Sequence, residues 1–233
     1  MPVTFLTDDV LSPKIFDVCL RLKKAGAQPI LVGGWVRDRL MRLPPEETRD
    51  VDIEVFRITF EDLLQLFPKK SRVSFPKFGV LRLDYVDISL PRIEHCTGSK
   101  YNDFYVQIDP YLSFEKAGKR RDFTINAIGL DPFSKKILDP FCGLKDLREK
   151  ILRPITTAFM EDGYRILRAA QLIARFNFTP DRKLLEFGRQ MAYKKLSQKH
   201  IQNTKLILNS TLHTEKALEF LKNIQWFPIV DVM

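Results

Sequence analysis

Asp50 and Asp52 flank a single valine, and acidic and apolar residues alternate throughout Asp50-Val51-Asp52-Ile53-Glu54-Val55. On an extended strand this period sends Val51, Ile53 and Val55 to the core. Asp50, Asp52 and Glu54 share the other face, so the carboxylates of Asp50 and Asp52 project side by side. Such oxygens suit Mg2+, which takes few carboxylates and completes its shell with water and substrate phosphates. Asp87, in the alternating run Val86-Asp87-Ile88-Ser89-Leu90, adds a third acid on a nearby strand. The three would form a two-metal site, one ion activating an attacking hydroxyl and the other neutralising a leaving pyrophosphate. Upstream, Gly33-Gly34 separates a strand signal from a helix signal, and Arg37 lies one turn into that helix. Glycines admit phosphate oxygens to the backbone N–H groups, and a helix N-terminus favours negative charge. Taken singly, these features also describe the wet face of a strand and a tight turn. Their order, strand then GG then helix then Arg then DxD, is far more restrictive.

The elements that must position these residues are readable from periodicity. Leu11 to Lys24 has helical spacing, with Ile15, Val18, Cys19 and Leu22 on one face. Pro29 to Val32 reads as a buried strand, and Trp35 to Leu43 as a helix ended by Pro44-Pro45. Asp50 to Val55 is a strand, Phe60 to Leu66 a helix, and Val80 to Leu90 a strand. Ala127 to Leu130 and Lys136 to Leu138 flank a hairpin-like turn at Asp131-Pro132-Phe133-Ser134. Strand signals stop near Pro154. Beyond it, Asp162 to Phe176, Arg182 to Tyr193, Ser197 to Leu208 and Thr214 to Ile224 carry helical periodicity. The expected fold class is α+β: a mixed-sheet head over 1–153, followed by an all-α neck over 154–233.

Bulk properties narrow the function classes. The 233 residues are 45% apolar and 29% charged, which describes a globular protein rather than a disordered one. No apolar run approaches the roughly 18–20 residues that span a bilayer, and Met1 to Lys14 lacks a secretory layout, so no membrane association is expected. Cys19, Cys96 and Cys142 are too scattered for a disulfide framework or a CxxC zinc site, which points to a reducing cytoplasm. His95, His200 and His213 show no ligand spacing. The 38 basic against 29 acidic residues give a net charge of +9, favouring a polyanionic partner. The basic excess clusters at Lys116 to Arg121 and Lys183 to Lys205.

The stretch Val32-Gly33-Gly34-Trp35-Val36-Arg37-Asp38, with Asp50-Val51-Asp52, resembles the first motif of the class II tRNA nucleotidyltransferase and bacterial poly(A) polymerase family. Arg120-Arg121-Asp122-Phe123-Thr124-Ile125-Asn126-Ala127 matches the second motif. Asp139-Pro140-Phe141-Cys142-Gly143-Leu144-Lys145-Asp146-Leu147, running to Leu152-Arg153, matches the third. Glu161-Asp162-Gly163-Tyr164-Arg165 matches the fourth. The chain departs from the pattern at Leu40-Met41-Arg42, where relatives carry a glycine before the loop Leu43-Pro44-Pro45-Glu46-Glu47. It departs again at His95, after Arg92 and Glu94, where relatives often have arginine.

The resemblance implies a DNA polymerase β-like head and a role for each matching residue. Asp50, Asp52 and Asp87 would hold Mg2+, and Gly33, Gly34 and Arg37 would contact phosphates. Arg121, Asp122 and Asn126 would act around the triphosphate and ribose. Asp162, Arg165 and Arg168 would bind the base, with Asp162 and Arg165 three apart on one helical face. Cytosine and adenine both present an amino donor beside a ring acceptor, which a carboxylate and a guanidinium can pair. Uracil and guanine mismatch the same pair. The implied activity is addition of CMP and/or AMP from CTP and ATP to a tRNA 3′ end. Poly(A) polymerase is the alternative within the family, and a catalytically inactive RNA-binding module the alternative outside it. Relatives continue into helical domains that grip the tRNA body, so a partner chain or self-association is expected to supply that grip.

Overall fold

The computed structural model of the chain describes residues 11–43, 50–68, 72–84, 86–98, 104–191, 196 and 198–226. The expected loop at Pro44 to Glu47, the element ends at Tyr193 and Ser197, and Lys194 and Lys195 of the basic stretch lie outside the described residues. The chain divides into two compact units, one of Met1–Gly118 with Asn126–Phe141, the other of Lys119–Ile125 with Cys142–Met233.

In the first unit, helix α1 (Pro13–Lys24) starts at Ser12, whose Oγ accepts from the Ile15 N–H, and places Pro13 in its first turn. Arg21, Lys23 and Lys24 sit at its negative end, and Gly26 at φ +81° turns the chain out of it. Strand β1 (Gln28–Val32) leads directly into α2 (Gly33–Leu40), which begins at the glycines rather than at Trp35 and ends short of Leu43. Strand β2 (Val51–Phe56) begins one residue after Asp50, and α3 (Phe60–Leu66) is capped by Thr59.

The continuous strand expected over Val80 to Leu90 is instead two. After β3 (Arg72–Phe75) come β4 (Val80–Leu83) and β5 (Val86–Ser89), an antiparallel pair whose chain reverses where Asp84 adopts φ +49°. The apolar phase shifts from odd positions (Leu81, Leu83) to even ones (Val86, Ile88, Leu90) across Asp84-Tyr85, and this one-residue shift is the only periodic mark of the reversal. Strands β6 (Arg92–Cys96) and β7 (Phe104–Ile108) make a separate hairpin, followed by the short helix α4 (Phe114–Gly118). Strands β8 (Gly129–Leu130) and β9 (Ile137–Leu138) complete a seven-stranded sheet in the order β3-β4-β5-β2-β1-β8-β9. Val51, Ile53, Val55, Val86 and Ile88 are all buried, each such side chain contributing about 1.5–3 kcal/mol of burial energy. Across β2 the alternate face carries Ile30, Val32 and Phe56, which pack with Ala117 and Phe114. Glu54 shares that face and is fully buried, so the acidic face is wet only towards its Asp50 end.

In the second unit, α5 (Gly143–Glu149) precedes β10 (Ile151–Leu152). Strand signals do not stop at Pro154: β11 (Thr179–Pro180) pairs in parallel with β10, a two-residue contact too short to leave a periodic pattern. Among the described residues, the remaining elements of this unit from Thr157 on are helical. Helix α6 (Tyr164–Phe176) buries Ile166, Leu167, Ala169, Ala170, Ile173 and Ala174 and packs against α8 (Gln198–Asn209) and α9 (Thr214–Asn223). Helix α7 (Arg182–Met191) brings Gly188 so close to Ile224 that a Cβ there would lie 2.9 Å from it. Asp146 is buried, accepts from Thr124 Oγ1 at 2.6 Å, and pairs with Arg153, which also reaches Asp181 at 2.8 Å. This network ties the second motif to the third. Among the described residues, no helix is long and apolar enough to cross a membrane.

Candidate active site

In the first unit the sheet register aligns the acids. β2 and β5 run parallel with Asp52 opposite Asp87, and β4 runs antiparallel with Arg82 opposite Asp87. Laterally paired residues project from the same face, so Asp52, Asp87 and Arg82 form one row across three strands. The Arg82 Nη2 donates to Asp50 Oδ1 at 2.6 Å, its Nη1 to Asp87 Oδ2 at 3.1 Å, and its Nε to the Asp84 carbonyl at 3.2 Å. Burial pushes the Asp87 carboxyl above the usual carboxylate range; Arg82 opposes that shift and the Asp50 charge adds to it. Asp87 Oδ1 is buried without a hydrogen-bond partner.

Among the described residues, no three or more His, Cys, Asp or Glu side chains stand gathered as a metal cage. Asp50 and Asp87 are bridged by a guanidinium instead. The donor set still fits a hard divalent cation: it offers carboxylate oxygens, and one buried oxygen lacks a partner. Arg82 has no signal in a single strand over Val80 to Leu90; the mark of the reversal is the one-residue phase shift between Leu83 and Val86. Once the reversal is placed, alternation puts Arg82 on the acids' face.

The glycine turn backs onto the same row. Gly33 has φ +75°, and a Cβ there would lie 2.6 Å from Asp52 Oδ2. Val32 pairs with Asp52 across β1–β2, which brings the turn to the carboxylate. Arg37, expected on phosphates, is buried. Its Nε and Nη2 hold Asp38 Oδ1 at 2.8 and 2.7 Å, and its Nη1 donates to Asn126 Oδ1 at 2.7 Å. The first motif thus grips the end of the second. The partnership of Arg37 with Asp38 and Asn126 had no signal in the sequence beyond their presence in two motifs.

In the second unit, Asp122 is buried and has both oxygens engaged. Oδ1 accepts from the Phe123 N–H at 2.8 Å and Oδ2 from Arg168 Nε at 2.7 Å. Arg165 donates to the carbonyls of Ala158 at 2.8 Å and Arg120 at 2.7 Å. Asp162 and Arg165 do not share a helix. α6 begins at Tyr164, and Asp162 is extended (φ −127°, ψ 110°), with its Oδ1 accepting from the Tyr164 N–H at 2.9 Å. The Asp-Gly step favours this capping turn over a helical start. Arg121, in the same unit, is half-buried.

A mixed sheet carrying strand-borne acids beside a glycine turn, followed by helices, is the nucleotidyltransferase fold. The profile of the Poly A polymerase head domain matches residues 30–153. The multifunctional CCA protein of Methylobacillus flagellatus is 41% identical over 145 residues, covering 62% of this chain and 34% of its own. The CCA-adding enzyme of Francisella tularensis is 34% identical over 212 residues, covering 86% of this chain and 57% of its own. The crystal structure of the Bacillus stearothermophilus CCA-adding enzyme in complex with CTP matches with a TM-score of 0.74 at 25% identity, over 91% of this chain and 52% of that one. This chain belongs to the CCA-adding enzyme and poly(A) polymerase family. It spans between about a third and somewhat over half the length of these relatives.

Proposed function

We propose that this chain is the head, 1–153, and neck, 154–233, of a template-independent enzyme that adds CMP and/or AMP from CTP and ATP to the 3′ end of tRNA, releasing pyrophosphate. The observation that carries the reading is the row of Asp52 beside Asp87 with Gly33 seated on Asp52, in a chain of this family. Asp50, Asp52 and Asp87 would hold Mg2+, which when bound supplies activation of the attacking hydroxyl and neutralisation of phosphate charge. Gly33 and Gly34 offer backbone N–H groups to the triphosphate. Arg37, one turn behind the glycines, would support the phosphate site and positions Asn126. Arg121 and Asp122 serve the triphosphate and ribose, with Asp122 steadied by Arg168. Asp162 accepts from the exocyclic amino group of cytosine or adenine, and Arg165 donates to the neighbouring ring nitrogen. To do so, Arg165 exchanges one of its two carbonyl partners for the base.

The test is a primer panel: tRNA lacking three, two or one terminal nucleotides, each offered one labelled nucleotide. Incorporation of CMP on the shorter primers and a single AMP on the longest is the expected result. Homopolymeric A tails on any RNA would identify a poly(A) polymerase. No transfer from any nucleotide would end the enzymatic reading.

A further inference from the structure

We propose that Arg82 is a resident cation of the acidic face, bridging Asp50 and Asp87 in the metal-free chain and giving way when a divalent ion binds. The inference deepens the proposed function and rests on its assignment of Asp50, Asp52 and Asp87 to a metal.

Three observations point the same way. First, Arg82 does what an ion would do. It faces two carboxylates, Asp50 just before β2 and Asp87 on β5, at 2.6 and 3.1 Å, and relieves their mutual repulsion. Second, it does this incompletely. The guanidinium takes one oxygen of Asp87 and leaves Oδ1 buried and unpartnered, whereas an ion with several coordination positions can take more of the available oxygens. Third, the bridge is shallow. The Arg82 side chain is 38% exposed and that of Asp50 is 48% exposed, and ion pairs open to water exchange at low cost. The Nε contact lies on the Asp84 carbonyl of the β4–β5 turn, not on an acid, so the arginine has an anchor independent of the carboxylates it releases. A purely structural salt bridge would need no release, and its carboxylates would hold it with and without metal.

The experiment measures Mn2+ binding to the full chain by the loss of the free-ion EPR signal, in wild type, Arg82→Gln, Arg82→Lys and Asp52→Asn. Removing the competing charge should tighten binding roughly tenfold in Arg82→Gln. Arg82→Lys, which keeps the charge but not the two-pronged geometry, should fall between. In 15N-arginine spectra of the wild-type chain, the Arg82 Nη–H resonances, which report the two carboxylate contacts and are identified by their absence from Arg82→Lys, should move on Mg2+ titration. Equal or weaker Mn2+ binding in Arg82→Gln overturns the inference. So does an Arg82 resonance that stays put at saturating Mg2+, a measurement that does not depend on whether Arg82→Gln folds. If Asp52→Asn loses binding while Arg82→Gln matches wild type, Arg82's role fails and the metal site stands. If wild type shows no saturable binding, both fall.

Discussion

On the sheet, Asp52 and Asp87 stand opposite one another because two parallel strands fix their register. At the start of α6, Asp162 and Arg165 are held by main-chain groups, one capping Tyr164 and the other reaching two carbonyls. The first arrangement leaves one oxygen of Asp87 buried without a hydrogen-bond partner, and Asp50 half exposed. The second satisfies its charged groups within the protein. The sheet therefore presents a site whose unmet polar demand calls for a cation. The helix entry presents a site whose groups must first let go of the backbone. The two should respond differently to mutation.

The largest expected effect lies on the sheet. Asp52→Ala removes a donor that the register cannot replace, and loss of ion-based charge stabilisation costs several kcal/mol, hence at least about a thousandfold in rate. Thermal unfolding should scarcely change, since Asp52 is not a core residue. Near-normal primer extension by Asp52→Ala at saturating Mg2+ would remove the contrast between the two regions.

At the helix entry a change should alter choice more than rate. An unpaired buried polar group costs about 1–3 kcal/mol, so Asp162→Ala should narrow the preference for CTP and ATP over UTP and GTP by roughly ten- to a hundredfold. The comparison of kcat/KM for all four nucleotides decides it. One common factor for all four would mean that Asp162 is only the cap of Tyr164.

The same contrast explains what could be read from the sequence. Strand sites are legible because a period of two assigns each side chain to a face, and β2 and β5 carried their acids as expected. The head-and-helix order and all four late helices were likewise legible, because amphipathic spacing persists over ten or more residues. The helix-entry site was not. The axis of α6 starts two residues after Asp162, and a capping turn sets that start, so spacing by three placed the pair wrongly on one face. The β4–β5 reversal at Asp84 leaves only a one-residue shift of apolar phase between Leu83 and Val86, too brief to separate two strands, and Arg82 was lost with it. The hold of Arg37 on Asn126, 89 residues along the chain, is a long-range contact that no local spacing shows.

A smaller effect is expected at Gly33. An alanine there must hold φ +75°, at a cost of about 1–2 kcal/mol, and its Cβ would sit 2.6 Å from Asp52 Oδ2. Gly33→Ala should lower Tm by roughly 3–6 °C and weaken Mn2+ binding as the carboxylate is pushed aside. Normal binding at reduced Tm would separate the turn from the acid row.

The smallest effect has the most informative sign. Burial raises the Asp87 carboxyl above its unfolded value, so its ionised form is disfavoured in the folded chain. Below the unfolded value, about 3.9, the group is neutral in both states and costs nothing. As pH rises through the raised folded value, the chain loses stability. Asp87→Asn carries no such charge. It should therefore match wild type near pH 4 and be the more stable of the two at pH 7, while abolishing activity. Asp122 makes the opposite case: both oxygens are engaged, by Phe123 N–H and Arg168. Asp122→Asn should thus cost about 1–2 kcal/mol. Melting curves of the two variants from pH 4 to pH 8, without divalent ions, test the pair of signs. Destabilisation by both would mean that the Arg82 bridge outweighs the burial of Asp87, and that the acidic face, like the helix entry, is satisfied from within.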